Sequence, residues 1–420
     1  MVQRSFIVQG LLSIRIDGGK GLMIRLASRN FPKEVGASPH RAPQKSMPTT
    51  STPSIPFFRY PHVFQQQREE ITAAMMKVME RGAFILQDEL VQFEQEVAKF
   101  VGSRHAIGVA DGTESMIIAL RAAGVGPGDE VIFCSHTYIA TASAIHFAGA
   151  TPVPVDMCSD RCIDPNAVRK AITKRTKAII PTQLNGRTCD MGAIMSIAKD
   201  HGLIVIEDAA KALGSKFDGQ CAGTFGFAGS ISLYPAKVLG CFGDGGLLFT
   251  QEDGVNETLR ELRDHGRNRD GYVVRWGLNS RLDTLQAAIL LVKLRQFPAE
   301  IVRRRELASI YHERLCDLEQ MTLPPGPEEH AQHFDIYQNY EVEGDRRDEL
   351  RVHLQERGVR TIVQWAGTPV HQFAGLGFDG VRIPGVERFF ERCFLLPMNT
   401  SLTNDEVHYV CDCIRGFYGR

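Results

Sequence analysis

Lys237, Asp208 and the run Gly112-Thr113-Glu114 are residues of this chain whose types and settings suggest a shared chemistry. Lys237 lies three residues beyond an apolar stretch, Ser230–Tyr234, that reads as a strand. A lysine amine held partly deprotonated by its surroundings forms a Schiff base with a carbonyl. Asp208 follows a second apolar stretch, Leu203–Glu207. A carboxylate facing a pyridine nitrogen keeps that nitrogen protonated, and the ring then draws in electrons. Gly112-Thr113-Glu114 falls between a third strand signal, His105–Ala110, and the helical pattern Met116–Ala123. A helix that opens with Gly-Thr offers free backbone N–H groups and the positive end of its dipole to a phosphate. Lysine, acid and phosphate cradle together have the make-up of a pyridoxal phosphate site. Singly, each has an ordinary explanation: a solvated loop lysine, an aspartate capping a helix, a turn. A sheet that gathers three strand ends would join them.

The rest of the pattern predicts such a sheet. Residues 68–80 and 88–100 have helical spacing, with Phe93, Val97 and Phe100 on one face. Strand signals at Glu130–Phe133, Thr151–Val155, Ala178–Pro181 and Gly246–Thr250 alternate with helical ones such as Pro165–Ile172 and Met191–His201. This alternation implies an α/β fold with a mostly parallel sheet covered on both faces. Open sheets of this kind bind ligands at the carboxyl ends of their strands, where all three groups fall. Leu282, Leu285, Ile289 and Val292 then mark a long helix leading away from the sheet. From residue 306 the character shifts, with prolines at 324, 325 and 327 and a strand signal at Tyr337–Val342. The expected domains are an extension over residues 1–55, a large α/β domain over 56–305 and a smaller α+β domain over 306–420. The extension is expected to be disordered or the product of a start codon assigned too early, with Met47 the true start.

Composition narrows the classes. A 420-residue chain with 43% hydrophobic and 23% charged residues has the make-up of a soluble globular protein. Its net charge of −1 gives no global basic field for nucleic acid or a membrane surface. Eight basic and two acidic residues give residues 1–46 a charge of +6, which leaves −7 on the remainder. Val131–Val155 carries no Asp, Glu, Lys or Arg, but His136, His146, Pro152 and Pro154 interrupt it. It reads as a buried strand, a short helix and a second strand rather than a membrane span. The ten cysteines form no CxxC pair, which fits reduced thiols in a cytoplasmic protein. The thirteen histidines show no metal spacing, so no metal is expected. Gly375–Gly380 fits GxGxxG without a preceding strand and with Pro384 close behind, and it reads as a loop.

Longer blocks carry a family likeness. They are Ile206-Glu207-Asp208-Ala209-Ala210, Ser232-Leu233-Tyr234-Pro235-Ala236-Lys237 followed by Gly243-Asp244-Gly245-Gly246, and Gly277-Leu278-Asn279-Ser280-Arg281-Leu282-Asp283. Thr113, the run His136–Thr141, Pro181–Gly186 and Leu396-Pro397-Met398 support them. On these the sequence resembles the DegT–StrS nucleotide-sugar aminotransferases, within the aspartate-aminotransferase superfamily of pyridoxal phosphate enzymes (fold type I), over residues 56–420. The resemblance implies that Lys237 binds the cofactor covalently and moves protons, and that Asp208 pairs with the pyridine nitrogen. It implies that Tyr138 stacks on the ring, and that Gly112, Thr113, Glu114 and Ser232 hold the phosphate. Asn279 matches an asparagine that reaches the phosphate from the partner subunit, which implies a homodimer with shared active sites. Arg267, Arg269 and Arg275 lie in a loop that would meet the diphosphate of a nucleotide sugar, with surface charge as their ordinary explanation. Trp365 and His371 fall where the small domain would approach the substrate, and core packing is the plainer alternative.

Two residues depart from the family pattern. Lys211 replaces a Gln or His that contacts the cofactor's phenolic oxygen, and Val238 stands where Asn often follows the catalytic lysine. The expected activity is transfer of an amino group, with glutamate as donor, to a keto sugar linked to a nucleoside diphosphate. The rivals are an aminotransferase for a cyclitol or another cyclic ketone, and a non-catalytic sensor that keeps the fold. A related sugar dehydratase would carry histidine in place of Lys237.

Overall fold

The computed structural model describes residues 53–420, together with two strands, β1 (Leu12–Arg15) and β2 (Met23–Leu26), that pair antiparallel. The expected extension otherwise lies outside the described residues, save for its last three.

Three helices lead in: α1 (Tyr60–Gln66), α2 (Arg68–Arg81) and α3 (Asp88–Val101). Strands and helices then alternate as β3 (His105–Val109), α4 (Gly112–Ala122), β4 (Glu130–Cys134), α5 (Ile139–Phe147), β5 (Thr151–Val155), α6 (Pro165–Ala171), β6 (Thr176–Ile180), α7 (Met191–His201) and β7 (Ile204–Asp208). A small hairpin, β8 (Lys216–Phe217) and β9 (Gln220–Cys221), precedes β10 (Ala228–Ser232), β11 (Gly246–Thr250), α8 (Asp253–Arg263) and α9 (Thr284–Leu315). Seven strands make one sheet in the order β3-β11-β10-β7-β6-β4-β5. β11 runs antiparallel to both its neighbours and the other pairs are parallel. The two antiparallel steps cancel, so β3, β10 and β7 point the same way and end on one edge.

The strand sequences account for this layering. Every residue of β4 is buried, as a strand covered on both faces requires. Val131 and Phe133 pack with α4 and α5, whereas Ile132 between them packs with Met191, Ile194 and Ile197 of α7. Val131–Val155 thus folds as β4, α5 and β5.

The chain continues through β12 (Met321–Thr322), β13 (His333–Phe334), β14 (Tyr340–Gly344), α10 (Arg347–Glu356), α11 (Pro384–Arg392), β15 (Cys393–Leu396) and α12 (Asn404–Phe417). β12, β14 and β15 form a separate antiparallel sheet. Residue 305, the expected domain limit, falls inside α9, where the core changes. Ala287, Leu290, Leu294, Phe297 and Ile301 pack with α3, while Leu307, Ala308, Tyr311 and Leu315 pack with β14 and α12. Ile55 also joins this C-terminal core, bridging to Val359.

Several strand ends differ from the expectation by a residue or more, and two of them have a local cause. β10 stops at Ser232 rather than Tyr234, because the chain turns there: the Lys237 N–H donates to the Tyr234 carbonyl at 2.8 Å. β14 begins at Tyr340 rather than 337, because Tyr337 has a left-handed φ of 48° that no strand accepts.

Candidate active site

Asp208 is the last residue of β7 and is 4% exposed. Its Oδ2 accepts from the Thr141 hydroxyl at 2.6 Å, and its Oδ1 from the Ala210 N–H at 3.2 Å. Behind Thr141 the Thr137 hydroxyl lies 2.8 Å away, and the Thr182 hydroxyl donates to Thr137 at 3.1 Å. Thr141 lies in the first turn of α5, Thr137 just before that helix, and Thr182 two residues beyond β6. A file of buried hydroxyls therefore fixes the orientation of the Asp208 carboxylate. Glu207, its neighbour, points to the opposite face of the sheet. It accepts from the Gly223 and Phe225 N–H groups and the Gln183 amide. Burial pushes its carboxyl up while those bonds oppose the rise. One acid of the pair faces the site and the other holds a loop.

Lys237 sits in the turn beyond β10 and is half-buried. Burial lowers its amine below the usual lysine value, and the Asp208 carboxylate opposes that shift. The Gln338 side chain clamps the turn on both sides of the lysine. Its Nε2 donates to the Ala236 carbonyl at 2.9 Å, and its Oε1 accepts from the Val238 N–H at 3.2 Å. Arg304 in turn donates to the Tyr337 and Gln338 carbonyls, each at 3.2 Å. The Val238 side chain is buried in the core under α9, so its departure from the family pattern is an apolar packing choice.

α4 opens at Gly112, held close against Ser232 at the end of β10. A Cβ at Gly112 would stand 2.9 Å from the Ser232 Cβ. Gly246 pairs opposite Ser232 and approaches Asp111 so closely that its own Cβ would meet the Asp111 carbonyl at 2.4 Å. The expectation of free N–H groups is corrected here. The Asp111 Oδ1 accepts from both Thr113 N–H, at 2.7 Å, and Glu114 N–H, at 2.9 Å. Aspartate is a favoured N-cap, and the positive end of the helix attracts its charge. What the cradle offers beyond this cap is the tight Gly112–Ser232 approach and the hydroxyls of Thr113 and Ser232.

Lys211, just beyond β7, is half-buried and reaches toward the C-terminal region. Its ammonium donates to Gln364 Oε1 and, at 3.4 Å, to Asn185 Oδ1. It also lies 4.8 Å from the centre of the Trp365 ring, within cation–π range. Burial, with Lys237 as second cause, draws the Lys211 amine down to about 7, while Glu341 and Asp208 oppose.

The remaining expected residues divide. Tyr138 stands at the entry to α5 and is 55% exposed. Asn279 is exposed and bridges to Asp264. Arg267, Arg269 and Arg275 pair with acids of the same chain: Asp264 at 3.1 Å, Glu257 at 3.5 Å and Glu261 at 2.6 Å. His371 is buried elsewhere, its Nδ1 2.7 Å from the Ser135 hydroxyl and its Nε2 3.2 Å from Glu387. Both ring nitrogens are occupied, so packing takes precedence there over the expected substrate role. The Gly375–Gly380 run is a loop whose Phe378 packs on Phe133. The sequence reading missed Thr182, Gln338, Gln364 and Glu341, and it noted Thr141 without a role. The one available signal was the Thr137/Thr141 spacing of one helical turn.

A lysine and an acid facing each other at the carboxyl edge of a mostly parallel seven-stranded sheet define an α/β enzyme of the aminotransferase class. The chain belongs to the DegT/DnrJ/EryC1/StrS aminotransferase family, whose model matches residues 65–415. It is 40% identical to a pleiotropic regulatory protein of Geobacillus stearothermophilus, over 87% of this chain and 99% of that one. It is 38% identical to the dTDP-3-amino-3,4,6-trideoxy-alpha-D-glucose transaminase of Streptomyces venezuelae, over 87% of this chain and 96% of that one. The crystal structure of S. venezuelae DesV in complex with a ketimine intermediate matches with a TM-score of 0.84 at 38% identity, covering 88% of this chain and 100% of the other.

Proposed function

We propose that this aminotransferase binds pyridoxal phosphate and transfers an amino group from glutamate to a keto sugar linked to a nucleoside diphosphate. The observation that carries the reading is the Lys237 amine, drawn toward its neutral form by burial, opposite the Asp208 carboxylate that Thr141 holds in place. The cofactor, when bound, supplies an aldehyde and an electron-accepting ring. Asp208 holds a proton at the ring nitrogen, and Lys237 carries protons to and from the reacting carbon. Ser232, Gly112 and Thr113 take the phosphate, and Tyr138 covers the ring. In the proposed homodimer Asn279 and the arginines at 267, 269 and 275 serve the neighbouring site. The exposure of their loop supports that arrangement, and the transaminase relatives of the chain support the activity.

The purified protein tests this directly. Borohydride should fix the cofactor's mass on the peptide containing Lys237, and glutamate should convert the bound cofactor to its amine form. A panel of nucleotide-linked and free cyclic ketones should then restore the aldehyde form, the nucleotide-linked ones fastest. Lys237→Ala should fold and lose turnover by at least about 10³-fold, within the range of a general acid–base group. Retained turnover in that variant refutes the assignment. Cofactor uptake without any half-reaction would point to the regulatory rival.

A further inference from the structure

Two peptide groups meet at the Lys237 Cα, and one side chain from a distant part of the chain holds both. Gln338 Nε2 donates to the Ala236 carbonyl at 2.9 Å, on the peptide before the lysine. Gln338 Oε1 accepts from the Val238 N–H at 3.2 Å, on the peptide after it. A peptide group is planar, so fixing the two planes that flank a Cα fixes its φ and ψ and the direction of its side chain. Only one orientation of the Gln338 amide satisfies both partners, since the carbonyl needs a donor and the N–H an acceptor. Other bonds close the turn as a whole. The Lys237 N–H donates to the Tyr234 carbonyl and the Cys241 N–H to the Leu233 carbonyl, each at 2.8 Å, and the Lys293 ammonium donates to the Gly240 carbonyl. Gln338 itself is built as a fixed point. It is 5% exposed and lies between β13 and β14. Arg304 Nη1 donates to the Tyr337 and Gln338 carbonyls at 3.2 Å and to the Met398 carbonyl at 3.4 Å. The Ile336 N–H donates to the Gly186 carbonyl at 2.8 Å, and the Asn339 N–H to the Asn185 carbonyl at 3.3 Å. Gly186 has a φ of 100°, and a Cβ there would stand 2.6 Å from the Gln338 nitrogen. Tyr337 is held in left-handed backbone at φ 48°, its hydroxyl donating to the Pro325 carbonyl at 2.8 Å.

We propose that Gln338 is a positioning residue for the amino transfer: by holding both peptides at Lys237 it sets where the lysine amine can reach. The proposal rests on the reading of Lys237 as the cofactor-binding lysine. The Gln338 amide bonds to backbone at Ala236 and Val238, so it acts through Lys237 rather than on a reacting atom. A lysine stem is long, but a proton carrier works only within hydrogen-bond reach of its target. A misplacement of about 1 Å can cost about 10²-fold in rate. With both peptides released, the backbone at Lys237 would sample further φ and ψ and hold the amine in place for less of the time. The loss should fall on kcat rather than KM, because the grip on Lys237 serves proton transfer and not substrate capture.

Two variants of the full chain test this. Gln338→Leu removes both bonds, and Gln338→Glu keeps the shape and the acceptor for Val238 while losing the donor to Ala236. In cofactor-free protein, hydrogen exchange at the Val238 N–H should quicken at least about tenfold in the leucine variant. In the loaded enzyme, turnover is counted per chain that borohydride marks at Lys237, which removes losses of folding or cofactor uptake from the comparison. On that count kcat should fall roughly 10- to 100-fold in Gln338→Leu, with KM for the amino donor within about threefold of the parent. The glutamate variant should fall less. The ratio of its kcat to the parent's should rise as pH falls, because a protonated carboxyl regains the donor to Ala236. That variant carries the test if the leucine variant does not fold. Equal kcat per marked chain in variants and parent, or unchanged exchange at Val238, overturns the proposal and leaves the cofactor reading intact. Absence of the borohydride mark at Lys237 in the parent protein sinks the cofactor reading, and the proposal with it.

Discussion

The buried end of β7 and the exposed loop 264–279 both carry residues assigned to the site, and they are built in opposite ways. At Asp208 each carboxylate oxygen has a donor from the same chain, and the donors themselves are held by further buried hydroxyls. The loop presents Tyr272, Val273 and Val274 to solvent, and Trp276 is 96% exposed. Among the described residues its three arginines pair with Asp264, Glu257 and Glu261. Large apolar side chains gathered on one exposed loop mark an interaction surface rather than a finished wall. The half proposed to handle protons has its hydrogen-bond partners within one chain, and the half proposed to handle the substrate's charge is the one proposed to meet a second copy.

The largest effect that sharpens this contrast belongs to the buried end. Asp208→Asn keeps the shape and removes the charge, and turnover should fall roughly 10²- to 10³-fold, the cost of losing one preorganised electrostatic partner. Thr141→Val, measured beside it, strips one oxygen of its donor while leaving the charge. A hydrogen bond to a charged group contributes about 1.5–3 kcal/mol, so a loss of roughly ten- to a hundredfold is expected. If Thr141→Val matches the parent in turnover, the hydroxyl file is packing and not part of the site's electrostatics.

The contrast also explains what the sequence disclosed. Asp208 and Lys237 were legible because their setting is local: Asp208 ends a strand and Lys237 lies in the turn that follows another, and the apolar run of each strand announces it. The sheet was legible for the same reason, since strands buried on both faces read as continuous apolar segments. Gln338 was not legible, because its task is to grip backbone at Ala236, 102 residues away in the chain. Gln364 meets Lys211 across 153 residues, through a left-handed turn that Trp365 and Ala366 would not adopt from their own preferences. The Asp111 cap follows from residue type, since an aspartate directly before a helix start is a favoured N-cap. His371 takes the plainer of its two readings. The family likeness set it near the substrate, and the fold shows both nitrogens engaged, with Ser135 and Glu387.

The exposed loop yields a middle-sized effect. Trp276→Ser removes the largest apolar side chain from the surface proposed to meet the second copy. A central aromatic anchor is worth about 2 kcal/mol or more, so self-association should weaken roughly 30-fold. Sedimentation equilibrium across a concentration series reads this. Turnover per chain should fall in step with the dimer fraction and recover at high protein concentration. A variant that stays as associated as the parent places the dimer contact elsewhere.

The smallest effect tests whether the loop's arginines do more than decorate the surface. Arg275 makes the shortest ion pair of the three, with Glu261 at 2.6 Å. An exposed ion pair contributes about 0–1 kcal/mol to stability, so Arg275→Ala should barely change the melting temperature. If the guanidinium turns toward a diphosphate when substrate arrives, the same variant should raise KM for the nucleotide-linked ketone about three- to tenfold, as loss of one partly solvated charge-assisted bond implies. Its kcat should hold, because a contact remote from the reacting carbon is made equally in the ground and transition states. Glu261→Gln supplies the control. It frees Arg275 from its present partner and should leave KM unchanged or lower it. Were both variants to alter stability alike and KM not at all, Arg275 would be a surface ion pair and nothing more. The substrate's charge would then have to be met by groups on the buried side of the cleft, and the division between a finished and an unfinished half would fail at its most exposed point.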